Sequence, residues 1–443
     1  MSEILEFTGE ARTWVLRRHR ILGKGSFGCA TLYEDMHAAG RFVVVKDVNL
    51  QTMKKEDEMK SLEMEVAILR RSRGHPNIVQ FLDYYHDGDF MVYIVMEYCA
   101  AGDMGQLEEQ LQYRTSHQPE SFVASVLIQI LAGLHFLHVE QHTLHRDIKP
   151  QNLFLCGDEA LRIGDFGVST ILEQFGGVAK AVCGSPFYMA PEVCEEKAYD
   201  GKADLWSVGV TLYELMVLER PFTARSVPAL TRQIIRGEFN PIPSSLPYST
   251  QLVELVQSFL QTSVTSRPTL RRALRSAYVR SHLACVPLSC LESPHYTRLF
   301  GEELVRGAVA QRSSRSATVG AGGACGKELK SNNKDNKHEE PSSSARGDVS
   351  ELEMWLKTSG EDAADALIGA RRGSQQVAGR TSPRPGVGVG ATTRDTPMGA
   401  ICTTGQQQQQ QQQQRLGDND DEEVWNDAYE DDFESESSSD AGE

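Results

Sequence analysis

His145-Arg146-Asp147-Ile148-Lys149-Pro150-Gln151-Asn152 is the stretch on which the reading turns. Thirteen residues after Asn152 stands Asp165-Phe166-Gly167, and Ala190-Pro191-Glu192 follows. The first stretch supplies a carboxylate (Asp147), a cation two positions on (Lys149) and a neutral amide (Asn152); the second adds another carboxylate (Asp165). That set matches the needs of phosphoryl transfer, whose loose transition state leaves a protein mainly to position groups and balance charge. Asp147 is the candidate to accept or orient the proton of an acceptor hydroxyl. Asn152 and Asp165 offer hard oxygens to Mg²⁺ bridging the phosphates. Lys149 puts charge near the moving γ-phosphate. The bland reading of each acid is a helix cap or a surface ion pair; three motifs in this order outweigh it.

Upstream lies Gly23-Lys24-Gly25-Ser26-Phe27-Gly28. Glycines allow a hairpin backbone to lie close over phosphates with its N–H groups turned toward them. A dinucleotide-binding loop would open a helix. Here the glycines lead into a second strand, and then to Lys46 in Val43-Val44-Val45-Lys46. Lys46 is the candidate to hold the α- and β-phosphates, with Glu65 as its partner. The residues around them read as strands at Trp14–Leu22, Cys29–Tyr33, Phe42–Asn49, Phe81–Tyr85 and Val92–Glu97. Lys54–Arg71 has Met59, Leu62, Val66 and Leu69 at helical spacing, and long helices are expected at Ser121–Val139 and Lys202–Leu218. The predicted fold is α+β and bilobal. A short extension (1–13) precedes a small β-rich N-lobe (14–97) and a larger α-helical C-lobe (98–284), with a mostly disordered tail from 285 to 443.

At these motifs the chain resembles the eukaryotic serine/threonine protein kinases, over Trp14 to Leu283. It is most similar to the NIMA-related kinases in Val45–Leu50, Gly74–Gln80, Tyr93–Cys99 and Leu144–Leu155. The resemblance implies ATP and Mg²⁺ as cofactors and serine or threonine hydroxyls of proteins as acceptors. It makes Met96 the gatekeeper, gives the hinge Glu97–Cys99 the adenine, and has Leu22, Ala30, Val44 and Phe154 wall the base. Gly23, Gly25 and Gly28 would cover the phosphates, and Asp103 would reach the ribose or the substrate. Leu69, Phe81, His145 and Phe166 would stack between the lobes, anchored by Asp204, and Glu192 would pair with Arg267. Lys149 and Gly184-Ser185-Pro186 mark serine/threonine specificity. Ala30 and Val44 depart from the common Val and Ala. Ala181 stands where NIMA-related kinases carry a phosphorylatable residue, so activation is expected at Ser169, Thr170 or Ser185, or without a phosphate. The resemblance places such a protein in the cytoplasm, at the centrosome, basal body or cilium, or in the nucleus.

Composition excludes other classes. The formal charge is −16, and thirteen of the acids lie from Asp418 onward with no Lys or Arg, which leaves −3 for the remainder. Acidity concentrated in a tail argues against nucleic acid as ligand. Nine scattered cysteines without a C-x-x-C pair read as free thiols of a reducing compartment. Neither a signal peptide nor a stretch apolar enough to span a membrane is expected. In the tail, Gln406–Gln414 is an unbroken glutamine run, and Trp425, Tyr429 and Phe433 recur every four residues among acids. They form either an acidic-aromatic docking motif for a partner or a solvated face. Weak helical patterns at Arg298–Ala310 and Ser350–Ala370 read as docking helices or as helices without a role.

Overall fold

The computed structural model describes residues 4–321 except 25–27, 54–55, 89, 172–178 and 180–183. Its N-terminal part is one antiparallel sheet of six strands: β1 (Ile4–Thr8), β2 (Thr13–Lys24), β3 (Gly28–Asp35), β4 (Phe42–Asn49), β5 (Phe81–His86) and β6 (Met91–Glu97), in the order β1-β2-β3-β4-β6-β5. Helix α1 (Glu56–Arg71) lies between β4 and β5 in sequence. Strand alternation divides the side chains between two faces. Val92 and Ile94 pack with Leu62, Val66 and Leu69 of α1, whereas Trp14, Leu16, Val43, Val45 and Val95 make a second core with Phe7 and Tyr33.

Strand β1 falls within the expected N-terminal extension. Phe7 lies 5.3 Å from the ring of Tyr85 and 5.2 Å from that of Tyr93. Buried Asp83 on β5 accepts from the Ala11 N–H at 3.0 Å, the Trp14 indole at 2.7 Å and the Arg12 N–H at 3.3 Å. The sheet therefore curls until its first strands meet its last. Burial pushes the Asp83 carboxyl up, and these donors more than offset that, holding it below its ordinary value.

The C-terminal part is helical: α2 (Met104–Arg114), α3 (Glu120–His135), α4 (Pro191–Cys194), α5 (Lys202–Val217), α6 (Val227–Arg236), α7 (Thr250–Phe259), α8 (Leu270–Arg275) and α9 (Ala277–Ser281). Short strands β7 (Thr143–Leu144), β8 (Leu153–Leu155), β9 (Leu161–Ile163) and β10 (Thr170–Ile171) carry the loops between α3 and α4. One expectation is corrected here. The stretch Glu120–Glu140, α3 plus a π turn, is long and apolar enough to cross a membrane, but 78% of its most apolar window is buried inside the lobe. Its apolar residues form the core on all sides of the helix, which is how a central helix of a globular lobe reads.

Helices continue past residue 284 as α10 (Leu288–Leu291), α11 (Pro294–Phe300) and α12 (Glu302–Ala321). Cys290, Leu291, Tyr296, Val305 and Ala308 from this stretch are buried in the main core. The helical pattern at Arg298–Ala310 thus spans the end of α11 and the first half of α12. Ser350–Ala370, the glutamine run and the acidic-aromatic repeat lie outside the described residues.

Candidate active site

The floor of the N-lobe cleft follows from register. Residues directly opposite in a sheet share a face. Ala30 pairs with Lys46, Lys46 with Ile94 and Val44 with Met96, so Ala30, Val44, Lys46 and Met96 present one face. Leu22, on β2, is exposed near the glycine turn. Gly23 has open space where a Cβ would stand, whereas a Cβ on Gly28 would meet the Asp47 carbonyl oxygen at 1.6 Å. Gly28 is required by that close backbone approach. Gly25 lies outside the described residues.

Lys46 reaches across to α1. Its ammonium donates to Glu65 Oε1 at 2.6 Å and Oε2 at 2.8 Å, and lies 3.9 Å from Asp165 Oδ1. Burial alone would depress the Lys46 pKa, but Glu65 and Asp165 overcome it and leave it raised. Lys46 is therefore held as a cation.

The catalytic-loop residues converge. Lys149 Nζ donates to Asp147 Oδ2 at 2.6 Å and to Ser185 Oγ at 2.8 Å. The Ser185 N–H donates to Asp147 Oδ1 at 2.8 Å. Asn152 Nδ2 donates to the Asp147 carbonyl at 2.8 Å and to its Oδ2 at 3.1 Å, which commits the amide nitrogen to the loop. Burial raises the Asp147 pKa; Lys149 and Ser185 outweigh it, so the carboxyl sits below its ordinary value and is ionised at neutral pH. The loop is anchored from beneath by fully buried Asp204, which accepts from the N–H groups of His145 at 2.9 Å and Arg146 at 2.8 Å and contacts His138 Nε2 at 2.7 Å. Arg146 and Asp165 adopt φ of +67° and +64°. Left-handed backbone at non-glycine residues persists where surrounding contacts over-determine it, and it clusters at functional sites. Gly184, at φ +97°, is dictated twice over, since a Cβ there would meet the Arg146 carbonyl at 2.4 Å.

Leu69, Phe81, His145 and Phe166 are all buried, with the His145 and Phe166 rings 5.2 Å apart. Burial pushes the His145 pKa down. Arg267, also buried, makes a two-pronged pair with Glu192 at 2.7 and 3.0 Å. At the hinge, Glu97 Oε1 accepts from the Gln80 N–H and from Arg162 Nε. Cys99 Sγ lies 3.2 Å from Cys156 Sγ; that hydrogen bond, then burial, raises the Cys99 thiol well above its ordinary value. Glu97, Cys99 and Cys156 bring three ligand-type atoms within 4.8 Å of one another, but Glu97 is already committed to Arg162. Asp103 caps α2 by accepting the Gln106 N–H at 3.0 Å and bridges to Phe154, and burial raises its pKa.

Arg146 is fully engaged. Its Nε donates to the Val168 carbonyl at 2.6 Å and a terminal nitrogen to the Ser169 carbonyl at 3.1 Å. The Ser169 hydroxyl is buried and donates to the His145 carbonyl at 3.1 Å. Ala181 lies outside the described residues. Sequence reasoning missed His138, which meets Asp204 across 66 positions, and Cys156 beside the hinge. Neither carries a local pattern that would have flagged it.

A β-rich lobe carrying a Lys46–Glu65 pair that approaches Asp165, followed by a helical lobe carrying an Asp147–Lys149–Asn152 loop, is the arrangement of the protein kinase class. The family model for the protein kinase domain matches residues 16–279, and the chain belongs to that family. Its curated relatives include several Nek serine/threonine kinases. It is 36% identical to mouse serine/threonine-protein kinase Nek4 over 266 residues, which is 60% of this chain and 32% of that protein. It is 36% identical to human Nek2 over 269 residues, 59% of each chain, and 33% identical to a putative serine/threonine-protein kinase A of Trypanosoma brucei brucei over 269 residues, 59% of this chain and 60% of that one. The matched stretch thus spans from about a third to about three-fifths of these relatives.

Proposed function

We propose that the chain transfers the γ-phosphate of ATP to serine and threonine hydroxyls of proteins. The observation that carries this reading is the contact set Asp147–Lys149–Ser185, with the Lys46–Glu65 pair closed above it. Asp147, ionised and oriented by Lys149, Ser185 and Asn152, takes the acceptor proton. Lys149 balances charge at the phosphoryl group. Lys46, held by Glu65, grips the α- and β-phosphates under the glycine turn, and Met96 with the Glu97–Cys99 backbone frames the adenine. A carboxylate and an amide carbonyl are the hard oxygen donors that suit Mg²⁺, so Asp165 and Asn152 fit as its holders. When bound, the ion neutralises charge on the phosphates.

A scaffold without activity is the competing reading. It would be expected to lack Lys46, Asp147, Asn152 or Asp165, and all four are present. Arg146 is already satisfied by backbone carbonyls and Ser169 is buried, which favours operation without a phosphate at Ser169. Phosphosite mapping of active enzyme tests this: activity that requires phosphate on Ser169 refutes it. The resemblance to Nek kinases supports work in the cytoplasm at microtubule-based structures. The test of the activity is transfer of labelled phosphate from ATP to casein by wild type and Asp165→Asn, with and without Mg²⁺. Metal-dependent labelling by wild type alone supports the reading; equal labelling by both refutes it for this site.

A further inference from the structure

Tyr296 lies beyond the residues that the kinase family model matches, yet it is completely buried, and its hydroxyl bonds Asn77 Oδ1 at 2.9 Å. Asn77 is equally buried and stands in the turn between α1 and β5. Its Nδ2 donates to Gln129 Oε1 and to the Leu161 carbonyl, both at 3.0 Å. Its carbonyl accepts the Ile163 N–H at 2.9 Å, and the Val79 N–H returns to the Ile163 carbonyl at 3.0 Å. Ile163 ends β9, two residues before Asp165. On the other side, the Asn77 N–H donates to His75 Nδ1 at 3.1 Å, and the His75 N–H donates to the Ser72 carbonyl just past the end of α1, the helix that carries Glu65. The neighbouring His295 packs against the His75 ring, centroid to centroid 4.6 Å, with the rings tilted by 59°. Burial, with His295 and Arg162 nearby, pushes the His75 pKa down to about 3, so the imidazole is neutral and able to accept that bond.

Asn77 is thus one buried amide that links the helix bearing Glu65 to the strand leading to Asp165. Within that network the Tyr296 hydroxyl is the partner of Oδ1, and so fixes which way the amide faces. We infer that Tyr296 is a positioning residue for phosphoryl transfer: from α11 it locks Asn77 and thereby sets the Lys46–Glu65 pair and Asp165 relative to each other. The inference rests on the proposed activity for its kinetic consequence, but not for its structural one. Losing the hydroxyl while keeping the ring leaves Oδ1 buried without a donor, which the turn relieves by shifting. A shift of β9 moves Asp165.

The test compares full-length wild type, Tyr296→Phe, Asn77→Ala, the double variant and Arg312→Ala. Arg312 docks the same extension elsewhere, through the Cys285 carbonyl at 2.7 Å and the Glu159 carboxylate. Tyr296→Phe is expected to raise the half-saturating Mg²⁺ concentration and to lower kcat/KM for ATP, each by about tenfold, with KM for the peptide unchanged. The double variant is expected to go no further than Asn77→Ala. Arg312→Ala is expected to lower the melting temperature and leave Mg²⁺ dependence alone. Amide hydrogen exchange supplies the readout that needs no activity. Exchange at Leu161–Asp165 and in the last turns of α1 should quicken in Tyr296→Phe, while α7 stays as in wild type. Uniformly faster exchange, or a lower melting temperature with unchanged Mg²⁺ dependence, would overturn the inference and make Tyr296 a packing residue. If wild type transfers no phosphate but the local exchange pattern holds, the activity reading fails and the positioning stands.

Discussion

Replacing Glu108 should make this protein more stable, and should do so in a pH-dependent way. Glu108 sits in α2, 4% exposed, and its Oε1 has no hydrogen-bond partner among the described residues. The nearby Glu214 carboxylate is engaged by the Tyr188 hydroxyl at 2.5 Å and by Arg220 Nε at 3.1 Å. Burial first, and the charge of Glu214 second, push Glu108 from 4.5 up to about 9. The folded chain therefore holds a proton that the unfolded chain releases at neutral pH. For an acid whose folded pKa is raised, stability is greatest below the unfolded value and declines as pH climbs from 4.5 toward 9. Each pH unit in that window costs a little over 1 kcal/mol, so about 3 kcal/mol has gone by pH 7. That is large beside the ~5–15 kcal/mol of a typical domain. Glu108→Gln keeps the shape and removes the titration. Urea unfolding at pH 6, 7 and 8 should show the variant ahead, by a margin that widens by roughly 1 kcal/mol per pH unit. A margin that does not change with pH would refute the reasoning, because it would mean that Glu108 is ionised in the fold or solvated there.

Three further outcomes are expected. Glu65→Gln should remove the nearer of the two carboxylates that hold Lys46 and reduce kcat/KM by about 10²-fold in a steady-state peptide assay, with the melting temperature nearly unchanged. Arg267→Ala strands the buried Glu192 carboxylate; denaturant midpoints should report a loss of about 3–5 kcal/mol, and a loss under about 1 kcal/mol would mean that the pair is solvated. Because Lys149 and Ser185 hold Asp147 below its ordinary pKa, the acid limb of kcat/KM should lie below the ordinary carboxylate range. In Lys149→Met, burial dominates, so pH-rate profiles should show that limb displaced to higher pH. The same depression contributes stability that is present above the unfolded pKa of Asp147 and is lost as pH falls through the folded one.

The parts of this molecule that were legible in its sequence are those whose information is local. Strands β3 to β6 can be read from alternation because one face of each meets α1 or the second core, and that burial writes a period of two into the chain. Asp147, Lys149 and Asn152 are readable because one short loop must present all three, so their spacing is itself the chemistry. The other half of the site is not local. Asp204 supports the loop from α5 by accepting two backbone N–H groups; only the family resemblance pointed to it, because no local pattern around Asp204 announces that role. Strand β1 could not be read at all. Ile4–Thr8 is short and mixes Glu6 with apolar residues, and it becomes a strand only because the curled sheet offers Phe7 a place between Tyr85 and Tyr93.

The order beyond residue 284 makes the same point from the other end of the chain. Ser293 caps α11, with Pro294 at its first position, a clear local helix start. What that signal cannot say is where the helix goes. Its destination is set by two side chains, His295 against His75 and Tyr296 against Asn77, whose partners stand 219 positions away in the second case. A contact of that separation is entropically expensive to close and leaves no period in the sequence. The Tyr296 hydroxyl and the Asn77 amide are nonetheless paired in that core, where an unpaired group is costly, while His295 Nδ1 beside them has no hydrogen-bond partner among the described residues. Burial that complete, at a turn joining the helix of Glu65 to the strand of Asp165, is better explained by a demand on the geometry of the site than by a demand for buried apolar area. A Phe in place of Tyr296 and a Leu in place of Asn77 would have supplied that area with fewer constraints.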